Sequence, residues 1–192
     1  MVYIVVLNYN NFIDTAECLK SLLKLSYSKK NIIVCDNGSD DGSFSNLVDW
    51  AADATHSDKK LKYYVLNKEQ NPLHIHSSSG NNLILIDNRA NLGYAAGNNV
   101  GIRYALSQRD LSFGWILNND TVVHEEALGY LVNKMVKNPE IGMCGSTLLY
   151  RHDPKKIQAL GGFKYSPFFG ISRQIGNGTN IRGPLRAQPY RC

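Results

Sequence analysis

The stretch Ile116-Leu-Asn-Asn-Asp-Thr-Val-Val123 changes abruptly from apolar to polar side chains, and this change indicates how the chain folds. Short apolar runs bounded by polar residues are typical of buried strands, and open α/β sheets bind ligands at the carboxyl ends of their strands. Residues 115–117 are therefore predicted to be a strand, and Asn118-Asn119-Asp120 its functional end. The alternative is a polar turn followed by a helix cap at Asp120 or Thr121.

Composition favours one globular domain, or a domain and a fragment, with a substantial core, because 43% of the 192 residues are apolar. Basic residues number 21 against 16 acidic ones, and many of them follow residue 150. This excess suits an anionic partner, such as a nucleotide diphosphate or a phospholipid surface, and suits a merely soluble surface equally well. No basic amphipathic helix or basic stripe interleaved with aromatic residues occurs, so nucleic acid is not predicted as a partner.

The four cysteines contain no CxxC pair and have no metal-site spacing. They are predicted to be reduced thiols, mostly in the core, of a cytoplasmic protein. No signal peptide is recognised at the amino terminus, and no apolar run is long enough to cross a bilayer. The predicted location is therefore the cytoplasm, with the inner face of the membrane as a second option.

Two earlier strands show the same change to polar residues. Residues 2–7 are predicted to be a strand that ends in Asn8-Tyr9-Asn10-Asn11, followed by a helix over residues 12–25 with Asp14 or Thr15 as its cap. Residues 31–35 form the second predicted strand. It ends at Asp36, which is well placed to bind a ribose hydroxyl or a base N–H.

A second helix is predicted to run to about residue 54, capped by Ser39 or Asp40. Residues 55–82 are predicted to be an insertion, although residues 61–66 suit a strand. Within them, His74-Ile-His76 has alternating histidines without a third ligand. A surface insertion is favoured over a metal site there, because catalytic zinc generally takes three protein ligands.

Glycines 93, 97 and 101 recur every four residues after a third predicted strand over residues 83–86. On a helix they share one side, where a neighbouring element or a ligand can approach the backbone. Either packing against the sheet or contact with a phosphate or sugar fits the spacing, which is not the dinucleotide fingerprint. A helix over residues 124–136 and a strand over residues 141–150 follow, and no regular element is predicted after Arg151.

Four motifs, in order, resemble those of one enzyme family: Val5-Val-Leu-Asn-Tyr-Asn10, Val34-Cys-Asp-Asn-Gly-Ser-Asp-Asp-Gly-Ser43, Asn91-Leu-Gly-Tyr-Ala-Ala-Gly-Asn-Asn-Val-Gly101 and Leu117-Asn-Asn-Asp-Thr121. The chain resembles the inverting family 2 glycosyltransferases of GT-A fold, in particular their rhamnosyltransferase-like branch. The resemblance covers residues 2–150. It implies an α/β fold, with a Rossmann-like, mostly parallel sheet flanked by helices. It also implies a nucleotide-sugar-binding domain over residues 1–150 and an irregular start of an acceptor-side region over residues 151–192.

The resemblance further implies roles for individual residues. Asn8, Tyr9 and Asn10 would border the base and ribose of a nucleotide-sugar donor, and Asp36 would hydrogen-bond the base. The remaining donor-binding positions would be Asn91, Gly93, Gly97, Asn118, Asn119 and Asp120. The last three stand where the family has its DxD motif, whose final carboxylate binds Mg²⁺ or Mn²⁺. Such a hard cation neutralises the charge that a departing nucleoside diphosphate gains.

The sequence departs from the family pattern in three places, one of which is the predicted insertion over residues 55–82. Asn118 replaces the first carboxylate of DxD, which lowers the charge of the site and its expected metal affinity. Nothing after Gly161 matches the acceptor-binding segment that normally holds an acidic general base, so the acceptor part is predicted to be missing or truncated. Inverting transfer needs such a base, and none is named here.

Two functions remain open from the sequence. The first is an enzyme that transfers a hexosyl or deoxyhexosyl group, with inversion, to a saccharide or lipid-linked saccharide, with peripheral membrane association as an option. The second is a non-catalytic or incomplete nucleotide-sugar-binding module that needs a missing segment or a partner. A nucleotidyltransferase is disfavoured, because the loop after the first strand is not rich in Gly, Lys and Arg.

Overall fold

The computed structural model describes residues 1–67, 81–161 and 163–181, which divide into two compact units. The first unit comprises residues Met1–Glu126, and the second begins at Ala127. Packing therefore divides the chain earlier than the boundary predicted at residue 150. That boundary was drawn where the motifs end, and it stays a prediction about where donor and acceptor functions separate.

In the described part of the first unit, a five-stranded sheet has the order β3-β4-β2-β1-β5, with every pairing parallel. Its elements alternate along the chain as β1 Val2–Asn8, α1 Phe12–Leu23, β2 Lys30–Asp36, α2 Ser43–Ser57, β3 Lys62–Asn67, β4 Asn82–Asp87, α3 Gly93–Ser107 and β5 Phe113–Asn118. The inner strands are apolar runs buried on both faces, as parallel sheets require. The predicted α/β fold with a mostly parallel, helix-flanked sheet is confirmed.

The core on one face of this sheet packs under α3. Side chains of a strand alternate between the two faces, so Val5, Ile33 and Ile84 share a face and lie in one cluster with Tyr104 and Ala105 of α3. The alternate side chains of the same strands are equally buried on the other face. Burial on both faces fixes the register, and with it the place where each strand ends.

The glycines of α3 let the helix approach the sheet closely. A Cβ built on Gly101 would lie 2.7 Å from Val5 Cγ1 and 2.9 Å from Cys35 Sγ, and one on Gly97 would lie 2.7 Å from Leu7 Cδ1. These separations are too short for a side chain. The interpretation of this spacing as helix-to-sheet packing is therefore confirmed at both positions.

Gly101→Ala is expected to lower the free energy of unfolding by about 1–3 kcal/mol, because the added methyl group overpacks the core. Gly114→Ala, in β5 of the same unit, is the matched control, because no atom lies within 4 Å of its built Cβ. There alanine is expected to be neutral or to stabilise by up to about 1 kcal/mol. Urea unfolding followed by circular dichroism measures both variants, and equal effects would contradict the packing assignment.

Residues 55–82, predicted to be an insertion, contain regular elements where the structure describes them, and the insertion itself stays a prediction. The helix α2 continues to Ser57, and β3 forms the edge of the main sheet by pairing with β4. An edge strand is only half buried, so its apolar pattern is weak, and this hid its role in the sequence. His74 and His76 lie outside the described residues.

The second unit is also more regular than predicted. Its described elements are α4 Ala127–Lys137, β6 Thr147–Tyr150, β7 Asp153–Leu160, β8 Phe163–Ser166 and β9 Ile171–Gln174. The prediction that residues after 151 are irregular was wrong, because β7 pairs antiparallel with β6, and β8 with β9. Short, largely exposed strands carry little apolar periodicity. The predicted strand over residues 141–150 shortens to β6 for the same reason.

The predicted helix caps also need correction. The cap of α1 is Asn11, whose Oδ1 accepts a hydrogen bond from the Asp14 backbone N–H at 3.4 Å. The predicted caps Asp14 and Thr15 lie inside that helix. The cap of α2 is Gly42, which has φ 82° and makes no side-chain cap. Ser39 and Asp40, predicted there, bind neighbouring loops instead, as described below.

Candidate functional site

The carboxyl ends of β1 and β2 meet in a buried polar network centred on Asp36. Asp36 is 1% exposed, and its carboxylate accepts hydrogen bonds from the Ser39 backbone N–H at 2.8 Å and the Ser39 hydroxyl at 2.7 Å. Asn8 Nδ2 also donates to Asp36 Oδ2 at 2.7 Å. Charge-assisted bonds of this kind are strong, so the two strand ends are held rigidly together.

Thr15 extends this network to the end of β5. Its hydroxyl donates to Asn8 Oδ1 at 2.7 Å and accepts a hydrogen bond from Asn119 Nδ2 at 2.9 Å. The same hydroxyl lies 2.8 Å from the Asn11 carbonyl oxygen, an alternative acceptor for its single proton. Thr15 is fully buried. One side chain therefore links the first strand end to the Asn-Asn-Asp segment.

A second arm of the network reaches the start of α3 through Asn37. Asn37 Nδ2 donates to Asn91 Oδ1 at 2.9 Å, and Asn37 Oδ1 accepts from the Leu92 backbone N–H at 3.1 Å. Asn91 Oδ1 also accepts from the Gly93 backbone N–H, where φ is +75°. Glycine adopts this backbone conformation without strain. Asn91 and Gly93 thus lie beside the strand ends, whereas Gly97 is buried against the sheet.

The loop after β1 is the exposed border of the site. Asn10 has φ 48° and bonds reciprocally with Asp40: its Nδ2 donates to Asp40 Oδ1 at 2.8 Å, and its Oδ1 accepts from the Asp40 backbone N–H at 3.0 Å. Tyr9, next to it, is exposed. A cavity of about 310 Å³ adjoins this loop, with a lining that includes Asn10, Phe12 and Asp41. This border has room for a planar ligand group such as a base.

The end of β5 brings Asn118, Asn119 and Asp120 beside these groups. Asn118 Oδ1 accepts a hydrogen bond from the hydroxyl of Tyr94 at 2.8 Å, which ties the segment to α3. The Asp120 carboxylate is exposed and makes no hydrogen bond or ion pair with any residue that the structure describes. Within the described part of the chain it is therefore an anion without a partner, at the edge of a network whose other polar groups are largely paired.

The residues present fit a divalent cation that is shared with a substrate. The described residues contain no group of three His, Cys, Asp or Glu side chains that could hold a metal ion by themselves. Mg²⁺, however, is commonly held by one or two carboxylates together with substrate phosphates and water. Asp120 can supply the carboxylate. Asn119 Nδ2 donates a hydrogen bond to the Thr15 hydroxyl, which leaves Asn119 Oδ1 available to a cation.

A buried thiol lies under this segment. Cys18 Sγ is 3.8 Å from the backbone oxygen of Asn118, and burial, reinforced by the charge of Asp120, raises the pKa of Cys18 to about 12. Burial likewise raises the pKa of Cys35 to about 12. Both thiols are therefore neutral packing groups at physiological pH. Cys18 and Cys35 are buried, as predicted for most of the cysteines, and Cys144 is exposed.

The family of this chain follows from a match along its length. The model of glycosyl transferase family 2 matches residues 3–74 and 72–185, which is most of the chain. The chain belongs to glycosyl transferase family 2. Three of the four sequence motifs of this family 2 member span the ends of β1, β2 and β5, and the remaining one lies at the start of α3. The resemblance to that family is confirmed. The rhamnosyltransferase-like branch stays a prediction.

Among solved structures, this family 2 chain is similar to the crystal structure of S. aureus TarS 1-349, with 15% sequence identity and a TM-score of 0.49. The match covers 72% of this chain and 33% of that one. No curated protein matches the chain significantly. None of the helices in the described residues has both the length and the apolar character of a membrane span.

The structure brings together most of the residues predicted for the donor site. Asn8, Asp36, Asn91, Asn118 and Asn119 share hydrogen-bond networks, while Tyr9 and Asp120 are exposed around them. Four further residues belong to the site without having been predicted there: Thr15, Asn37, Ser39 and Tyr94. Asn37, Ser39 and Tyr94 lie inside the four motifs, and the motifs could have identified them as site residues. Thr15 lies outside the motifs and was interpreted only as a helix cap.

Proposed function

We propose that this chain binds a nucleotide sugar across the carboxyl ends of β1, β2 and β5 and transfers its sugar, with inversion, to a saccharide or lipid-linked saccharide. The observation that supports this most is the Asp120 carboxylate, which has no partner among the described residues and lies beside buried, hydrogen-bonded strand ends. Convergent polar groups at such an edge are typical of ligand sites in α/β sheets. The reaction class, transfer of a glycosyl group, follows from membership of the family.

In this proposal the base and ribose lie at the border formed by Tyr9 and Asn10. Asp36 acts mainly by holding that border through Ser39, since its oxygens already accept hydrogen bonds from protein groups. Direct contact of Asp36 with the base stays a prediction that requires one of these bonds to exchange. The diphosphate lies toward Asp120, where a bound Mg²⁺ or Mn²⁺ supplies positive charge for the leaving group.

The proposal is less detailed for the acceptor than for the donor. A deoxyhexosyl donor, a lipid-linked acceptor and peripheral membrane association are parts of the proposal that come from the resemblance and the basic charge. Inversion requires a base that deprotonates the acceptor hydroxyl opposite the leaving group. We assign that role to no described residue.

A thermal-shift screen tests the donor site. Uridine and deoxythymidine diphosphates and their sugar conjugates are added with and without Mg²⁺ or Mn²⁺. A ligand at 100 times its Kd stabilises by about 2.7 kcal/mol, which raises the Tm of a chain this size by roughly 5–10 °C. We expect such a rise for at least one nucleotide, and a larger one with the cation. Absence of any rise with folded protein would overturn the proposal.

A transfer assay then separates the two functions. Release of nucleoside diphosphate with formation of a glycosylated acceptor supports the enzyme. Nucleotide binding without release, across saccharide and lipid-linked acceptors, supports the binding module instead. That outcome gains weight if a longer chain with the same donor site transfers sugar.

A further inference from the structure

The hairpin formed by β8 and β9 exposes aromatic side chains at its tip. Phe168 is 89% exposed and Phe169 is 70% exposed, and their rings meet edge to face with centroids 5.0 Å apart. Tyr165 and Ile171, in the flanking strands, are exposed as well. Contiguous exposed apolar residues at one place mark an interaction surface more often than isolated ones do.

The same hairpin holds two cations side by side. Lys164 and Arg173 are directly opposite in the register of β8 and β9, and neither has an acidic partner among the residues that the structure describes. Like charges at directly opposed positions destabilise a strand pair. An anion placed between them would relieve this repulsion.

The cations and aromatic residues line one open concavity of about 500 Å³. Its lining includes Lys164, Arg173, Tyr165, Phe169 and Ile171. An occupant that suits these groups has an anionic part for the cations and an apolar part for the rings. A phospholipid surface presents both, with phosphate groups above an acyl boundary where aromatic side chains are favoured.

We propose that the β8–β9 hairpin docks this chain on an anionic lipid surface. Phe168 and Phe169 enter the boundary between headgroups and acyl chains, and Lys164 and Arg173 bind headgroup phosphates. A single-stranded nucleic acid fits less well, because base stacking uses open ring faces along a charged groove. Here the two tip rings stand at 84° to one another and offer no parallel pair of faces.

This inference gives the proposed membrane association a definite surface, but it does not depend on the nucleotide-sugar site. Lipid binding can be measured without donor, cation or acceptor. The hairpin can therefore fail its test while the donor site passes, and the reverse also holds.

Vesicle sedimentation with the full chain tests the proposal. Vesicles of phosphatidylcholine are compared with vesicles that also contain phosphatidylglycerol. Wild-type protein is expected to bind the anionic vesicles, with binding that weakens as salt rises. Phe168→Ser/Phe169→Ser is expected to lower the partition coefficient about tenfold or more, by removing buried apolar area. Lys164→Gln/Arg173→Gln is expected to lower it about 30-fold, given the typical contribution of a cation near an anionic leaflet.

Matched controls carry the same chemical changes elsewhere. Lys59→Gln/Lys60→Gln removes two exposed cations from the other unit, and Leu106→Ser removes an exposed apolar side chain. Both are expected to bind vesicles within about threefold of wild type, because neither site combines cations with an apolar tip. Circular dichroism and thermal unfolding confirm that each variant is folded.

Three results would overturn the proposal. The first is a wild-type chain that does not sediment with anionic vesicles. The second is binding that the hairpin variants reduce no more than the controls do. The third is hairpin-dependent binding of inorganic phosphate or of a single-stranded oligonucleotide in place of vesicles. Loss of binding confined to the hairpin variants would support it.

Discussion

Asp120→Asn is expected to lower the Mg²⁺-dependent affinity for a nucleoside diphosphate sugar about 100-fold, while the free energy of unfolding changes by less than about 0.5 kcal/mol. The affinity falls because the substitution removes the one carboxylate that the Asn-Asn-Asp segment offers a cation. Stability is unaffected because that carboxylate is exposed and has no partner among the described residues. Isothermal titration with and without Mg²⁺ measures the affinity, and urea unfolding measures the stability.

Asp53→Asn is the matched control, because it neutralises an exposed carboxylate on α2, away from the strand ends. It is expected to bind donor as wild type does. If Asp120→Asn also binds normally in the presence of Mg²⁺, Asp120 does not hold the cation. If both variants weaken binding equally, the effect is one of net charge alone.

Thr15→Val is expected to lower the free energy of unfolding by about 2–4 kcal/mol. Valine keeps nearly the same shape but removes the hydroxyl, so Asn8 Oδ1 and Asn119 Nδ2 lose their shared partner inside a buried network. Donor affinity is expected to fall as well, because the side-chain amide of Asn119 is no longer held in place by Thr15. Urea unfolding and nucleotide titration measure the two effects.

Thr15→Ser separates the hydroxyl from the methyl group. Serine retains the donor and acceptor of the network, so it is expected to cost only about 1 kcal/mol for the lost methyl and to leave donor affinity near the wild-type value. A valine variant as stable as the serine variant would show that Thr15 does not connect the strand ends. Equal loss of donor affinity in both would point to packing as the cause.

The sequence was informative where burial imposes a pattern. The inner strands are apolar on both faces, so β1, β2 and β4 and the polar residues that follow them could be predicted closely. The edge strand β3 was recognised only as a segment that suits a strand, and the hairpins of the second unit were not predicted, because exposed strands tolerate polar residues and lose their periodicity. The position of Asp36 at a strand end was predicted. The hydrogen bonds that its carboxylate accepts from Ser39 and Asn8 were not, because they depend on the geometry of the loop.

Side chains that act between elements were hardest to predict. Thr15 stands on α1 and bridges β1 to the segment after β5, more than 100 positions later in the sequence. A threonine near a helix start is ordinarily interpreted as a cap, and local spacing gives no sign of so distant a partner. Gly97 and Gly101 were ambiguous for a similar reason. Their spacing is compatible with packing or with ligand contact. The structure shows that it serves packing, because Leu7, Val5 and Cys35 lie against these glycines.

The central claim is that donor and cation lie together at the carboxyl ends of the parallel strands, and paramagnetic NMR tests it most directly. In the 21.5 kDa chain, Mn²⁺ added with a bound nucleotide sugar broadens the amide signals of residues near the cation. We predict strong broadening at residues 118–121 and weaker broadening at residues 8–10. The amino ends of the same strands, at Val2, Lys30 and Phe113, lie roughly 20 Å away along the strands and should be affected least. Broadening that is equal at both ends, or strongest at the amino ends, would contradict the account.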